Sequence, residues 1–191
     1  MKLLIGTHDD DIELFAAFTA IREQPTVMIC LDSYIQPARG FHDCSFLRRR
    51  SESRMGLECL LGSAYPLIEC GISDSYPDST ITRELRVTFQ EIDDKYNPDH
   101  VWAPAVEEGG HHHHNLVGKL AAETWPGRVT HYLSYTDRGK STDGIPVKIE
   151  DGEWIARKLR AMSRHVSQMN MDPRMGCWPH FTRGIEEYYQ R

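Results

Sequence analysis

The sequence has 191 residues, of which 40% are hydrophobic and 26% charged. That is close to one domain of roughly 150 residues, able to bury a core, and it excludes wholesale disorder. With 22 Lys and Arg against 28 Asp and Glu the formal net charge is −6, so no nucleic acid is expected as a partner.

In chain order, Lys2 to Gly6 predicts a short buried strand, followed by the polar run Thr7-His8-Asp9-Asp10-Asp11 and a helix over Asp11 to Glu23. Thr26 to Leu31 predicts a second strand, Ser45 to Leu61 a helix, and Tyr65 to Cys70 a third strand. A helix over Thr80 to Tyr96 leads to a strand at His100 to Pro104 and to a second polar loop, Glu107 to His114. The remaining elements are helices over His112 to Thr124 and Gly152 to Met169, with a strand at Arg128 to Tyr135 between them. No linker or repeat divides residues 1–191, so one domain is expected. Alternating strands and helices predict right-handed βαβ units: an α/β, Rossmann-like three-layer sandwich around a mostly parallel sheet. Ligands in such folds bind at the carboxyl ends of the strands, where both polar loops would open.

The first loop packs a histidine and three carboxylates into His8 to Asp11. Helix capping and the helix dipole account for acids there, at about 0.3–1 kcal/mol each, but capping has no use for His8. A divalent cation offsets their repulsion far better. The second loop has Gly109 and Gly110 followed by four histidines, His111 to His114. That tract fits metal ligation, nonspecific metal sequestration or surface histidines without a role. Taken together, the loops offer imidazoles and a carboxylate for a borderline cation such as zinc, with a second carboxylate as general base for a water molecule.

These residues resemble the LmbE-like (PIG-L) N-acetylglucosaminyl deacetylases. The family's His-Pro-Asp-Asp-Glu is similar to His8-Asp9-Asp10-Asp11-Ile12-Glu13, and its Arg-rich helix ending in Leu-Gly resembles Arg48-Arg49-Arg50 running to Leu61-Gly62. Its Gly-His-x-Asp-His is similar to Gly110 to His114, and its late Lys and His-x-Ser-Gln resemble Lys158 and His165-Val166-Ser167-Gln168. The resemblance implies a metal-dependent hydrolase that converts a small-molecule N-acetyl amino-sugar conjugate to a free amine and acetate. It implies His8, Asp11 and His114 as ligands of Zn2+, with Fe2+ as another divalent ion able to serve. Asp10 is implied as general base, His111 as the residue that stabilises the oxyanion or protonates the amine, and Arg50 and Asp74 as sugar contacts.

The chain departs from the pattern at Asp9, which replaces the rigid proline, and at His113, which replaces the aspartate that would orient His111, a role Asp9 could assume. Counting back from Leu61-Gly62 puts Ser53 at the acid of the family's Arg-x-x-Glu; Glu52 fits only in a frame shifted by one. The arginines could otherwise form a solvated face, and the neighbouring readings are a zinc amidase on a non-sugar or thiol-conjugate amide and a non-catalytic His-rich metal-binding protein. His165 and Gln168 are expected to pack or support rather than react. His42, His100, His131 and His180 are expected to be structural or surface residues. The four tryptophans and five widely spaced cysteines, with no Cys-x-x-Cys, are expected in the core. With no apolar run of 18 residues and only Leu3 to Ile5 near the start, no membrane span and a cytoplasmic location are expected.

Overall fold

The computed structural model describes residues 1–33, 45–134, 144–169 and 187–190. Strands β1 (Lys2–Gly6), β2 (Thr26–Asp32), β3 (Leu67–Ser73), β4 (His100–Pro104) and β5 (Val129–Tyr132) form a parallel sheet in the order β3-β2-β1-β4-β5. Two short strands, β6 (Ile145–Pro146) and β7 (Tyr188–Tyr189), extend it antiparallel beyond β5. Helices α1 (Asp11–Phe15), α2 (Ala17–Glu23), α3 (Phe46–Leu61), α4 (Asp78–Tyr96), α5 (His112–Thr124), α6 (Gly152–Met162) and α7 (Val166–Met169) complete the α/β sandwich.

The three layers follow from the period-2 alternation of a strand buried on both faces. In β1, Leu4 packs with Ile12, Phe18, Leu57 and Leu60 on one face, while Leu3 and Ile5 pack with Leu85, Phe89, Val117 and Trp125 on the other. Trp102, Trp125 and Trp154 are buried, as expected; Cys30 is buried and Cys59 and Cys70 half-buried. Cys44, Cys177, Trp178, His42, His180 and Tyr135 lie outside the described residues.

Several expected boundaries move. The helix after β1 divides at Ala16, whose backbone (φ −139°, ψ 20°) leaves the helical region. The last long helix divides at 163–165, and that turn directs His165 inward. Strand β3 lies later than Tyr65 to Cys70: Pro66 has no N–H to donate and serves β2 only through its carbonyl, which accepts from Val27. Strands β6 and β7 were not anticipated, because two residues carry no periodicity. Among the described residues no helix is long and apolar enough to cross a membrane.

The sheet order reverses between β1 and β4, so the loops following these two neighbours open side by side at the carboxyl edge. Helix α5 lies very close on β4: a Cβ at Gly118 would stand 2.2 Å from the Pro104 carbonyl oxygen.

Candidate active site

The two loops meet. His8 Nδ1 and His114 Nε2, 106 residues apart in sequence, are 3.2 Å apart. Asp11 Oδ2 lies 3.3 Å from His114 Nε2 and 3.8 Å from His8 Nδ1. Two ligands on a tetrahedral zinc at about 2.1 Å stand about 3.4 Å apart, so this trio has a spacing that fits the ion. The same Asp11 oxygen accepts from the backbone N–H groups of Thr7 and His8, both at 2.8 Å, which ties the loop around the carboxylate. Its other oxygen, Oδ1, is buried with no hydrogen-bond partner among the described residues. The ionised form of Asp11 is strongly favoured: His114 and His8 outweigh burial and hold its carboxyl well below the usual range. Burial pushes the His8 imidazole well below its ordinary value, so it is neutral and able to ligate. His111 also lies within ligand reach, its ring nitrogen within 4.8 Å of those of His8 and His114.

A support the sequence did not reveal orients His114. Its Nδ1 lies 2.8 Å from Ser134 Oγ, and Glu107 Oε1 accepts from that hydroxyl at 3.3 Å and from the Ser134 N–H at 2.9 Å. With the hydroxyl donating to Glu107, it accepts from His114 Nδ1–H and leaves Nε2 bare towards Asp11. Asn115 fixes the loop by accepting from the Glu107 N–H and donating to the Glu107 carbonyl, both at 2.8 Å. Glu107 stood in the polar loop and could have been singled out. Ser134, 20 residues beyond His114, carried no local signal.

The acids of the first loop do not cap α1 with their side chains. Asp10 occupies the N-cap position without a side-chain cap, and its Oδ1 instead accepts from Arg49 Nη2 at 3.0 Å. Asp9, 1% exposed, lies 4.0 Å from Arg49 Nε, and burial pushes its carboxyl up to about 7. The carboxylates that act most on His111 are those of Asp11 and Asp10. Burial pushes His111 down to about 4, which leaves it neutral.

Arg49, 4% exposed, reaches the aspartate loop, and Glu52, 3% exposed, accepts from the N–H of Ser167 at 3.0 Å and its hydroxyl at 2.5 Å. Arg50, one residue on and therefore about 100° around the helix, pairs in bidentate fashion with Asp32 at 2.8 and 2.5 Å. It borders a surface pocket with Phe46, Gly71 and Ser73. Asp74 is half-buried at the end of β3, its N–H donating to the Asp32 carbonyl, and its charge acts on Arg49. Arg48 and Arg54 pair with Glu52 and Glu69, so the arginine run is a set of ion pairs rather than a bare solvated face.

His165 sits away from the ligand trio, 2% exposed, its Nε2 3.1 Å from Glu13 Oε1. Gly56 leaves room for this pair, since a Cβ there would stand 2.3 Å from Glu13 Oε1. Lys158 is fully buried and donates to Glu187 at 2.8 Å; Glu187 also accepts from the Phe18 N–H.

No family model matches the chain, and no curated protein matches its sequence. Solved structures do match. An N,N'-diacetylchitobiose deacetylase from Pyrococcus horikoshii is 22% identical with a TM-score of 0.70, over 99% of this chain and 82% of that one. A deacetylase of the teicoplanin biosynthetic pathway is 19% identical with a TM-score of 0.74, over 95% of this chain and 88% of that one. The chain has the fold of these deacetylases. The resemblance carried by the motifs is thus matched in three dimensions. The 4-carboxy-2-hydroxymuconate hydratase of Pseudomonas putida KT2440 has the fold too, at 16% identity and a TM-score of 0.63, over 96% of this chain and 84% of that one. The fold therefore does not by itself choose the reaction, and function has to be argued from the site.

Proposed function

We infer that the protein is a metal-dependent N-deacetylase that hydrolyses the N-acetyl group of an amino-sugar conjugate to a free amine and acetate. The observation that carries this reading is the approach of His8 Nδ1, Asp11 Oδ2 and His114 Nε2 to within 3.2–3.8 Å of one another. Two imidazoles and an ionised carboxylate suit zinc, and Fe2+ fits the same donors. Bound there, the ion supplies Lewis-acid polarisation of a carbonyl and acidification of a water molecule.

The chain's own residues supply the rest. Asp10, fixed by Arg49, takes the proton of the attacking water and returns it to the departing amine. Neutral His111 donates a hydrogen bond to the developing oxyanion, a contribution on the order of 100-fold. Arg50 and Asp74 stand at the sheet edge where a sugar would lie, with Arg50 held in position by Asp32. The test combines metal analysis of the purified protein with acetate release from a panel of N-acetylglucosaminyl conjugates, phosphate-linked and nucleotide-linked ones included. One equivalent of metal lost in His8→Gln, together with acetate release from a panel member, is the expected result. Stoichiometric metal with no acetate from any conjugate would remove the deacetylase reading, and a metal content indifferent to His8 would remove the site.

A further inference from the structure

The histidine tract has a second face that the ligand trio does not use. His112 opens α5 with its side chain 62% exposed, whereas that of His113 is only 7% exposed. Their ring centroids are 3.9 Å apart. Both direct Nε2 at the carboxylate of Asp78, the first residue of α4, with Oδ1 at 3.9 Å from His112 and 4.0 Å from His113. These separations are too long for hydrogen bonds. They are within the about 4.2 Å that two ligands can span across one zinc-sized ion, and about half an ångström beyond the tetrahedral spacing. His112 and Asp78 are exposed enough to close that difference by side-chain rotation. Ring nitrogens of His111, His112 and His113 also lie within 4.8 Å of one another.

We propose that His112, His113 and Asp78 form a second, outer site for zinc or a similar divalent cation, with water completing its shell. Two imidazoles and one carboxylate are a donor set for a borderline ion. The outer site stands on its own residues, whether or not the inner one is catalytic.

The two sites are joined by one contact, 3.4 Å between His8 Nε2 and His113 Nδ1. Ligation through His8 Nδ1 places the His8 proton on Nε2, where it faces His113 Nδ1 as acceptor. A neutral His113 in that arrangement carries its own proton on Nε2, the atom the outer site needs. Occupation of the outer site moves that proton across the ring to Nδ1, so that two N–H groups face each other and the rings must separate. Outer binding is therefore the weaker event and disturbs the inner ion.

Zinc titration of the metal-free full chain by calorimetry tests this. Two binding events are expected, one tight and one weaker. His112→Gln and Asp78→Asn, both at exposed positions, should each abolish the weaker event and leave the tight one, and His8→Gln should do the reverse. A single event in the parent chain that His8→Gln removes, or a weaker event that survives both outer substitutions, overturns the outer site. A single event that His112→Gln and Asp78→Asn each abolish and His8→Gln leaves would instead overturn the inner site. With Co2+ as probe, the visible absorption of the first equivalent should change on adding the second in the parent chain but not in His112→Gln. An unchanged spectrum in the parent chain overturns the link through His113.

Discussion

Replacing Gly118 with alanine tests how the packing of α5 positions His114, a proposed metal ligand. A Cβ at this position would lie 2.2 Å from the Pro104 oxygen and 3.2 Å from its carbonyl carbon, whereas ordinary contact begins at 3.4 Å. The obstacle is strand backbone and cannot swing aside, so the helix must retreat by about 1 Å. Overpacking of this kind costs about 1–3 kcal/mol, and alanine returns up to about 1 kcal/mol through its helix propensity. We therefore expect a net loss of about 2 kcal/mol in urea unfolding of the metal-free protein. His114 lies four residues earlier on the same face of α5, and a ligand tolerates displacement of only about 0.2 Å, so zinc affinity by chelator competition should fall on the order of 10–100-fold. Gly152→Ala is the control: nothing lies within 4 Å of its Cβ position, and a change within about 0.5 kcal/mol is expected. Unchanged zinc affinity beside lost stability would refute the link from Gly118 to His114, and a variant as stable as its parent would refute the close approach itself.

Three further substitutions probe the site and its support. Asp10→Asn, reconstituted with metal, should keep its metal content and lose acetate release by at least about 100-fold; full activity would remove Asp10 as base. Lys158→Met leaves the buried Glu187 carboxylate without its cation, and chemical denaturation should register a loss of about 3 kcal/mol, partly recovered in the double variant with Glu187→Gln. Burial holds His113 down at about 4 against an unfolded value near 6.5. A depressed histidine contributes stability that is present above about pH 6.5 and is lost as the pH falls towards 4. Between pH 7 and pH 5 the metal-free His113→Asn variant should therefore lose about 2 kcal/mol less than the parent chain, and parallel pH profiles would refute the assignment.

Much of the architecture was legible because the central strands are covered on both faces, so Lys2–Gly6 and His100–Pro104 read as uninterrupted apolar runs. The approach of His8, Asp11 and His114 was legible because two polar loops followed strands that proved to be neighbours. The arginine was harder. Counting from Leu61-Gly62 favours Arg50, and because a helix turns about 100° per residue, Arg49 faces the aspartate loop while Arg50 faces Asp32. The burial of Arg49 and Glu52 depends on partners in the first loop and at Ser167, which no local pattern announces. Ser134 was hidden for a related reason: its place beside His114 depends on β5 pairing with β4, a long-range event with no local pattern.

The acids of the first loop illustrate how direction, not composition, assigns chemistry. Asp9, Asp10, Asp11 and Glu13 are all carboxylates within five consecutive positions, and sequence alone treats them as one negative cluster. The loop and the short helix α1 send these acids in three directions. Asp11 turns back onto the loop amides and towards His114, Asp10 and Asp9 turn towards Arg49, and Glu13 is directed away to His165 over Gly56. Of these four acids, Asp11 is the one with an oxygen 3.3 Å from His114 and 3.8 Å from His8. Asp10, the proposed base, is held by the Arg49 guanidinium. The Asp9 departure is tolerated on the same logic: its side chain lies on the Arg49 side, and burial raises its carboxyl to about 7, so the extra acid adds less negative charge beside the ligands than its position in the sequence implies.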